Sequence, residues 1–326
     1  MILLTAILLA ACLQAKAGDG AKVFRPGEVM VDVTGQPINL HWPSILHYRG
    51  VYYAFGGRFE GRTVNQHVAL PGVACYSSRD LYHWKNEGLV MPGEIPGTDL
   101  MLPRFPEREK VIYNRRTHKF VMWMHIDTTA YQYAHAAVAV SDSPTGPYHY
   151  LGSMLPNGSE CRDMTVFQDK DGKAYLIFAS EGNSTTHIAE LTDDYLKPNG
   201  NMIRIFVNQW REGHAAFRDG NRYYLINSKC AGWDFSAARY AVATSMMGPW
   251  KELGNPAVGP GADKTFDSQS SDVLTIAGKR GAFILLADRW KPDNLTDSRP
   301  IWLPITVDDE KLEIPWRAQW DLSVFK

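Results

Sequence analysis

Apolar and polar positions alternate along the chain in short runs, and five of these runs share one make-up: Val51-Tyr52-Tyr53-Ala54-Phe55, Lys119-Phe120-Val121-Met122-Trp123, Lys173-Ala174-Tyr175-Leu176-Ile177-Phe178, Arg222-Tyr223-Tyr224-Leu225-Ile226 and Gly281-Ala282-Phe283-Ile284-Leu285-Leu286. Each follows a Gly-rich or charged turn, such as Tyr48-Arg49-Gly50 or Asp219-Gly220-Asn221, and each turn follows an apolar run centred near Ile45, Val111, Val166, Phe217 or Val273. Such pairs read as hairpins. A third element also recurs, as Cys75-Tyr76-Ser77-Ser78-Arg79-Asp80-Leu81, Val140-Ser141-Asp142-Ser143-Pro144-Thr145-Gly146-Pro147 and Ala243-Thr244-Ser245-Met246-Met247-Gly248-Pro249-Trp250. Four-stranded units repeating at roughly 50–65 residues predict an all-β protein, a five-bladed β-propeller. A β-sandwich would not repeat its second strand so faithfully, and a parallel β-helix needs shorter coils. No period of 3.6 persists beyond about two turns, so residues 30–326 are expected to form a single domain.

Composition agrees with that reading. Of 326 residues, 27 are Gly, 19 Pro, 15 Tyr and 10 Trp, which suits many short strands, tight turns and aromatic packing. Lys and Arg number 34 against 35 Asp and Glu, a net charge of −1, so no basic footprint for nucleic acid is present. The apolar run Met1 to Ala11 is too short to span a bilayer and has the length of a secretory signal core. A signal peptide over residues 1–17 is expected, ending at Ala15-Lys16-Ala17, with lipoprotein-type cleavage before Cys12 as the alternative. The expected location is extracytoplasmic: secreted, periplasmic or held at the cell surface by an N-terminal lipid, with no other membrane insertion.

Propeller geometry selects the candidate chemistry. First strands leave one mouth of the central channel and second strands return to it, so first-strand starts and second-strand ends share a pocket. The starts include His41-Trp42-Pro43, Glu107-Arg108-Glu109, Arg162-Asp163-Met164, Arg211-Glu212-Gly213-His214 and Asp267-Ser268-Gln269-Ser270. The ends include Gly56-Gly57, His125-Ile126-Asp127, Ser180-Glu181-Gly182, Ser228-Lys229-Cys230 and Asp288-Arg289-Trp290. Several carboxylates around one channel, with Trp and Tyr nearby, point to acid and base work on a carbohydrate, because sugars stack on aromatic faces and glycosidic bonds break between two acidic groups. The motifs of zinc proteases, redox dithiols, serine hydrolases and phosphate-binding loops do not occur. No cofactor is expected; a Ca²⁺ site built from isolated Asp and carbonyl ligands would leave no compact signature.

The stretches Glu107 to Asn114, Val121 to Asp127, Val138 to Pro147, Arg162 to Thr165, Arg211 to Gly213 and Phe266 to Ser270 together resemble glycoside hydrolase family 43. In particular they resemble its branch of exo-acting β-1,3-galactosidases. The resemblance covers roughly residues 30 to 326 and implies a five-bladed propeller that cleaves plant-type glycans with inversion. It makes Glu212 the general acid, Asp163 the residue that tunes that acid, and Gln269 the group that positions or activates water. Glu107 and Tyr131 match substrate-binding positions. Trp42, Arg289 and Trp290 stand at the mouth as further candidate sugar contacts. The implied partner is an oligosaccharide or polysaccharide, with terminal β-1,3-linked galactose foremost. An α-L-arabinofuranosidase or β-xylosidase is the enzymatic alternative, and a catalytically inactive carbohydrate-binding propeller is the other.

This chain also departs from the pattern it resembles. Most of the family places a water-activating aspartate in the first blade, where this chain has His41-Trp42-Pro43-Ser44-Ile45. The galactosidase branch has His-Gly-Gly-Gly there and Tyr-Gly-Glu at the end of the next strand, where this chain reads Phe55-Gly56-Gly57. A bulky indole and a missing acid should reshape the terminal sugar site. Cys161 and Cys230 are both expected at the mouth and are predicted to form a disulfide, whereas Cys75 reads as a buried free thiol.

Overall fold

A computed structural model describes residues 22–325. The signal segment, Cys12 and the two candidate processing sites lie outside the described residues. Within them, strands form five sheets set around a channel. The first blade contains β1 (His41–Tyr48), β2 (Val51–Val64), β3 (His67–Ser78) and β4 (Lys85–Pro92). The second has β5 (Arg104–Asn114), β6 (Lys119–Thr128), β7 (His135–Ser141) and β8 (His149–Met154), and the third β9 (Met164–Gln168), β10 (Ala174–Ser180), β11 (Thr185–Leu191) and β12 (Pro198–Ile205). The fourth has β13 (Arg211–Asp219), β14 (Arg222–Lys229), β15 (Ala238–Ala243) and β16 (Lys251–Gly254). A short β17 (Ala257–Val258) joins the fifth blade alongside β18 (Gln269–Thr275), β19 (Phe283–Arg289), β20 (Arg299–Asp308) and β21 (Lys311–Pro315), pairing in parallel with β21. The five-bladed propeller is therefore the fold.

The continuous apolar runs in the second strands follow from this arrangement. Side chains alternate between the two faces of a strand, and each blade is covered on both faces by its neighbours. In β6, Met122 and Met124 pack toward the first blade while Val121 and Trp123 pack toward the third. In β14, Tyr223 and Leu225 face the third blade and Tyr224 and Ile226 the fifth. Each hairpin turn is tight; Arg49 and Gly50, with φ of 49° and 79°, form the two-residue loop between β1 and β2.

The ring closes by packing. Leu274, Ile284 and Trp302 of the last blade pack with Ile45, Ala54 and Trp84 of the first, joined by Phe24 and Trp320 from the two chain ends. Phe24 stacks on Trp320 at 4.3 Å between centroids, their backbones exchange hydrogen bonds of 2.7 and 3.1 Å, and the Trp320 indole donates to Trp302 O at 2.9 Å. One feature exceeds the expected repeat. Gly56 and Gly57 do not end the second strand of blade one, because they stay in register with Ala74 and Val73, and the β2–β3 hairpin runs on to Val64 and His67 beside the mouth. Among the described residues no helix is long and apolar enough to cross a membrane.

Replacing Trp320 with Ala should cost about 3–5 kcal/mol, the range for emptying a buried Trp site. Urea unfolding followed by fluorescence and circular dichroism would measure it, and a loss under about 1 kcal/mol would show that closure does not depend on this cluster.

Candidate active site

The mouth predicted from the repeat is a cavity of about 270 Å³ lined by Trp42, Glu107, Arg108, Asp163, Glu212 and Gln269, together with His125, Tyr131, Asn183, Cys230, Trp233 and Trp290. Its side chains are aimed by a device that four blades share. Strand register slips between His41 and Ser44, Glu107 and Lys110, Glu212 and Ala215, and Ser270 and Asp272, always where a first strand leaves the mouth. A bulge of this kind bends the strand and redirects its side chains. At three of them one residue takes a left-handed backbone: Trp42 (φ 52°), Arg108 (φ 59°) and Gly213 (φ 62°). Glycine suits position 213 for a second reason, since a Cβ there would lie 2.6 Å from Gln269 Cγ. The bare backbone lets the fourth and fifth blades bring Glu212 and Gln269 to one pocket.

Arg108 ties the pocket together. Its buried guanidinium donates through Nε to Asp163 Oδ1 at 3.1 Å, reaches Asp163 Oδ2 at 2.8 Å, donates to Ser270 O at 3.3 Å, and hydrogen-bonds Gln269 Oε1. Burial alone would raise the Asp163 pKa, but the Arg108 charge and a 2.9 Å hydrogen bond from the Gly213 N–H hold that carboxyl below its usual range. Glu212 is displaced the other way. Desolvation, and after it the charge of Asp163, push its pKa up to about 7. Its Oε1 accepts a 3.0 Å hydrogen bond from Asn183 Nδ2. Two carboxyls in one pocket are thus driven apart in acidity, one kept ionised and one protonated near neutral pH.

Gln269 is held at both ends, its Oε1 by Arg108 and its Nε2 donating to Ser228 Oγ at 3.2 Å. Held so, the amide has a fixed orientation, with its oxygen toward Arg108 and its nitrogen toward Ser228. Glu107 is buried beside His125, whose Nδ1 is 3.3 Å from Glu107 Oε2 and whose Nε2 is 3.0 Å from Asp127 Oδ2. Burial would lower the His125 pKa, but the hydrogen bond to Asp127 and the Glu107 carboxylate beside the ring overrule it and raise it to about 9. The Tyr131 hydroxyl donates to Glu107 Oε1 at 3.3 Å, and the Glu107 charge, with burial, pushes that phenol well above its usual range.

Seven of the eight expected site residues line the cavity: Trp42, Glu107, Tyr131, Asp163, Glu212, Gln269 and Trp290. Arg289 is a correction. Its guanidinium turns away to the carbonyls of Phe266 (2.6 Å) and Asp267 (3.2 Å) and lies against Gly27, so it braces the wall from behind. The predicted disulfide is a second correction. Cys161 and Cys230 are free: Cys161 is fully buried in the core between the second and third blades, while Cys230 faces the cavity beside Asn183 and Glu212. Burial, followed by the Glu212 charge, pushes the Cys230 thiol up to about 12, so it stands there as a neutral S–H. Cys75 is buried and free, as expected.

Reasoning from sequence gave no role to Arg108, His125, Asn183 or Trp233. The first two stood among the strand ends, but their partners are far away in the chain. Asn183 lies in the turn between β10 and β11, and Trp233 lies in a loop after a second strand. Among the described residues no group of three or more His, Cys, Asp and Glu side chains is arranged to hold a metal ion.

Comparison with known proteins gives a consistent result. The model of glycosyl hydrolases family 43 matches residues 36–272. Among solved structures, the chain is similar to a family 43 β-1,3-galactosidase determined with galactodeoxynojirimycin: 40% identity, a TM-score of 0.87, 92% of this chain and 100% of that one. It is similar to an exo-β-1,3-galactanase from Clostridium thermocellum at 33% identity and a TM-score of 0.84, over 92% of this chain and 66% of that one. A β-D-galactofuranosidase of Aspergillus niger is 30% identical over 159 residues, 44% of this chain. The chain spans 46% and 54% of the length of the curated relatives it matches.

The His125 environment has a measurable signature. Its ring should titrate near pH 9, so imidazole resonances read by NMR should stay those of the charged ring at pH 7.5. Because the folded value lies above the unfolded one, about 6.5, its contribution to stability is fully present below that pH and is lost as pH rises through about 9. Titration near 6.5 would show that Glu107 and Asp127 do not hold the ring charged.

Proposed function

Because the chain belongs to glycosyl hydrolases family 43, we propose that its pocket removes single terminal sugars from a plant-type glycan, β-1,3-linked galactose foremost, with inversion at the anomeric carbon. The observation that carries this reading is Glu212, protonated up to about pH 7 in a small cavity it shares with the Arg108-held amide of Gln269. A cavity of about 270 Å³ suits one sugar ring better than a run of chain, which favours release from an end.

In this mechanism Glu212 donates its proton to the leaving oxygen as the glycosidic bond breaks, and Asn183 holds the carboxyl in place. Gln269 holds a water on the opposite face of the ring. Its proton passes to Glu107, a lining carboxylate of the same pocket. Asp163 remains ionised, keeps Glu212 protonated through its charge, and supports the positive charge that develops on the sugar. Tyr131 and Trp290 provide flat contacts for the ring. A secreted or surface-tethered location fits a polymer too large to pass a membrane.

Two outcomes are expected. On β-1,3-galactan, galactose is released with the α-anomer appearing first by NMR, and Glu212→Gln lowers kcat by about 10²–10⁴, the usual worth of a general acid. Release from an aryl α-arabinofuranoside or β-xyloside in preference to galactan would redirect the substrate, and release that survives the substitution would remove Glu212 from the mechanism.

The second concerns pH. Since Glu212 must be protonated, kcat/KM falls as pH rises through about 7. Asp163→Asn deletes a charge that raises the Glu212 pKa, so the residual activity should lose its alkaline limb at lower pH; a limb that stays near 7 would refute the coupling.

A further inference from the structure

A net charge of −1 conceals an uneven distribution. The mouth gathers the carboxyls of Glu107, Asp163 and Glu212. The turns that join first to second strands stand at the other end of the channel, because each first strand runs away from the mouth. At about 3.3 Å per residue, the 8 residues of β1 and the 11 of β5 set the two ends roughly 25–35 Å apart. At that far end the turns of the first three blades enclose a cavity of about 720 Å³, against about 270 Å³ for the catalytic pocket.

The unbalanced charge of this cavity is positive. The β1–β2 turn supplies Arg49, the β5–β6 turn Arg115 and Arg116, and the β9–β10 turn Lys170. Two carboxylates also line it, and each is matched: Asp193 by Arg116 at 2.8 Å and Asp169 by Arg218 at 2.6 Å. Among the described residues no carboxylate pairs with Arg49, Arg115 or Lys170, so three cations from three blades line one space without a counter-charge. Like charges grouped in this way repel one another, and an anion between them relieves the repulsion.

The walls are fixed before any ligand arrives. The buried Asn114 amide donates to Asp193 O at 2.8 Å, Gln168 Nε2 donates to Tyr113 O and to the Tyr195 hydroxyl at 3.0 Å each, and that hydroxyl donates to Gly172 O. These bonds tie the turns of the second and third blades together. On the first blade, the Arg49 guanidinium lies over the Tyr48 ring, 5.1 Å from its centroid, and Tyr48 packs on Tyr113 at 4.7 Å. Aromatic rings therefore stand beside the cations.

We infer that this cavity is a second carbohydrate site, which holds a carboxylate-bearing sugar, a uronic acid, of the glycan whose ends the catalytic pocket trims. That the ligand is a sugar rests on the glycosidase reading, whereas its negative charge follows from the lining alone. A guanidinium meets a carboxylate with two parallel N–H donors, Lys170 adds a point charge, and the tyrosines offer flat contacts for the C–H face of a ring. A preformed site loses little freedom on binding. Holding the chain there raises the effective concentration of its ends around the mouth without occupying the catalytic pocket.

Calorimetry of the full chain with trigalacturonate, and with neutral β-1,3-galactotriose for comparison, tests the site. Trigalacturonate should bind in the presence of saturating galactose, and its affinity should fall about tenfold as NaCl rises from about 0.05 to about 0.5 M. Arg115→Glu with Lys170→Glu, both on exposed turns, should weaken it by about tenfold or more, with thermal unfolding as the check that the variant is folded. Arg49→Gln, on a separate turn, should weaken it severalfold and decides the matter if the double variant does not fold. The site is overturned if trigalacturonate fails to bind, if galactose displaces it, or if the substitutions leave its affinity unchanged. Inorganic phosphate binding as tightly as trigalacturonate would overturn the uronate assignment, and so would phosphatidylglycerol vesicles that bind in its place. Galactose release from β-1,3-galactan by the same preparation tests the catalytic reading separately: a protein that binds the uronate and releases no galactose keeps this site and loses that reading.

Discussion

One buried guanidinium organises the mouth of this propeller. Arg108 sits in a left-handed backbone position and is almost without solvent, so its charge needs protein partners. From the second blade it finds them on two others, Asp163 at the third and Gln269 and Ser270 on the fifth, and it lies under Trp42 of the first. Removing one partner of such a pair is costly because the other charge is left buried alone. Arg108 also sets the acidity of the site, since it holds Asp163 ionised and the ionised Asp163 helps keep Glu212 protonated. The pocket's division between acid and anion thus depends on a residue that need not touch the reacting atoms.

The propeller makes that arrangement possible by repetition. The same bulge at the start of a first strand delivers His41, Glu107 and Glu212 from three blades, and the residue after each is Trp42, Arg108 or Gly213. One backbone device therefore presents an aromatic wall, a cation or nothing at all, according to the side chain it carries. Blades covered on both faces by apolar residues leave little play between strands, so groups contributed by residues 42 to 290 meet within hydrogen-bond distances. Catalytic groups set on strand ends are held more firmly than groups set on loops.

What could be read from the chain follows the same logic. The repeat was legible because a strand with both faces buried is a continuous apolar run, and five such runs at similar spacing are hard to bury except as the blades of a ring. Once the blades were counted, the pocket residues followed from strand direction, which is why Glu107, Asp163, Glu212 and Gln269 were placed together. The wrong or missing parts all depend on where a side chain turns. Arg289 ends its strand at the mouth but its guanidinium folds back on Phe266 and Asp267; Cys161 and Cys230 flank the same mouth but one points into the core and the other into the cavity. The long hairpin was missed because Gly56-Gly57 looks like a strand end, whereas here the glycines make room for His41 O and the Trp42 indole.

The absence of an aspartate from the start of the first blade, where Trp42 stands, is less of a loss than it looks, given the charges present. With Glu212 protonated, the carboxylates Glu107, Asp127 and Asp163 stand against Arg108 and the His125 imidazolium, so one negative charge remains uncompensated among these groups. A sugar that gains positive charge as its bond breaks is favoured by that balance. A further carboxylate at position 42 would sit beside Asp288, which already accepts the backbone N–H of that residue, and crowd like charges in a poorly solvated place. The indole avoids this cost, and in the mechanism we propose water activation falls to an oriented amide with a carboxylate in the same pocket. An amide can serve there because the proton has somewhere else to go.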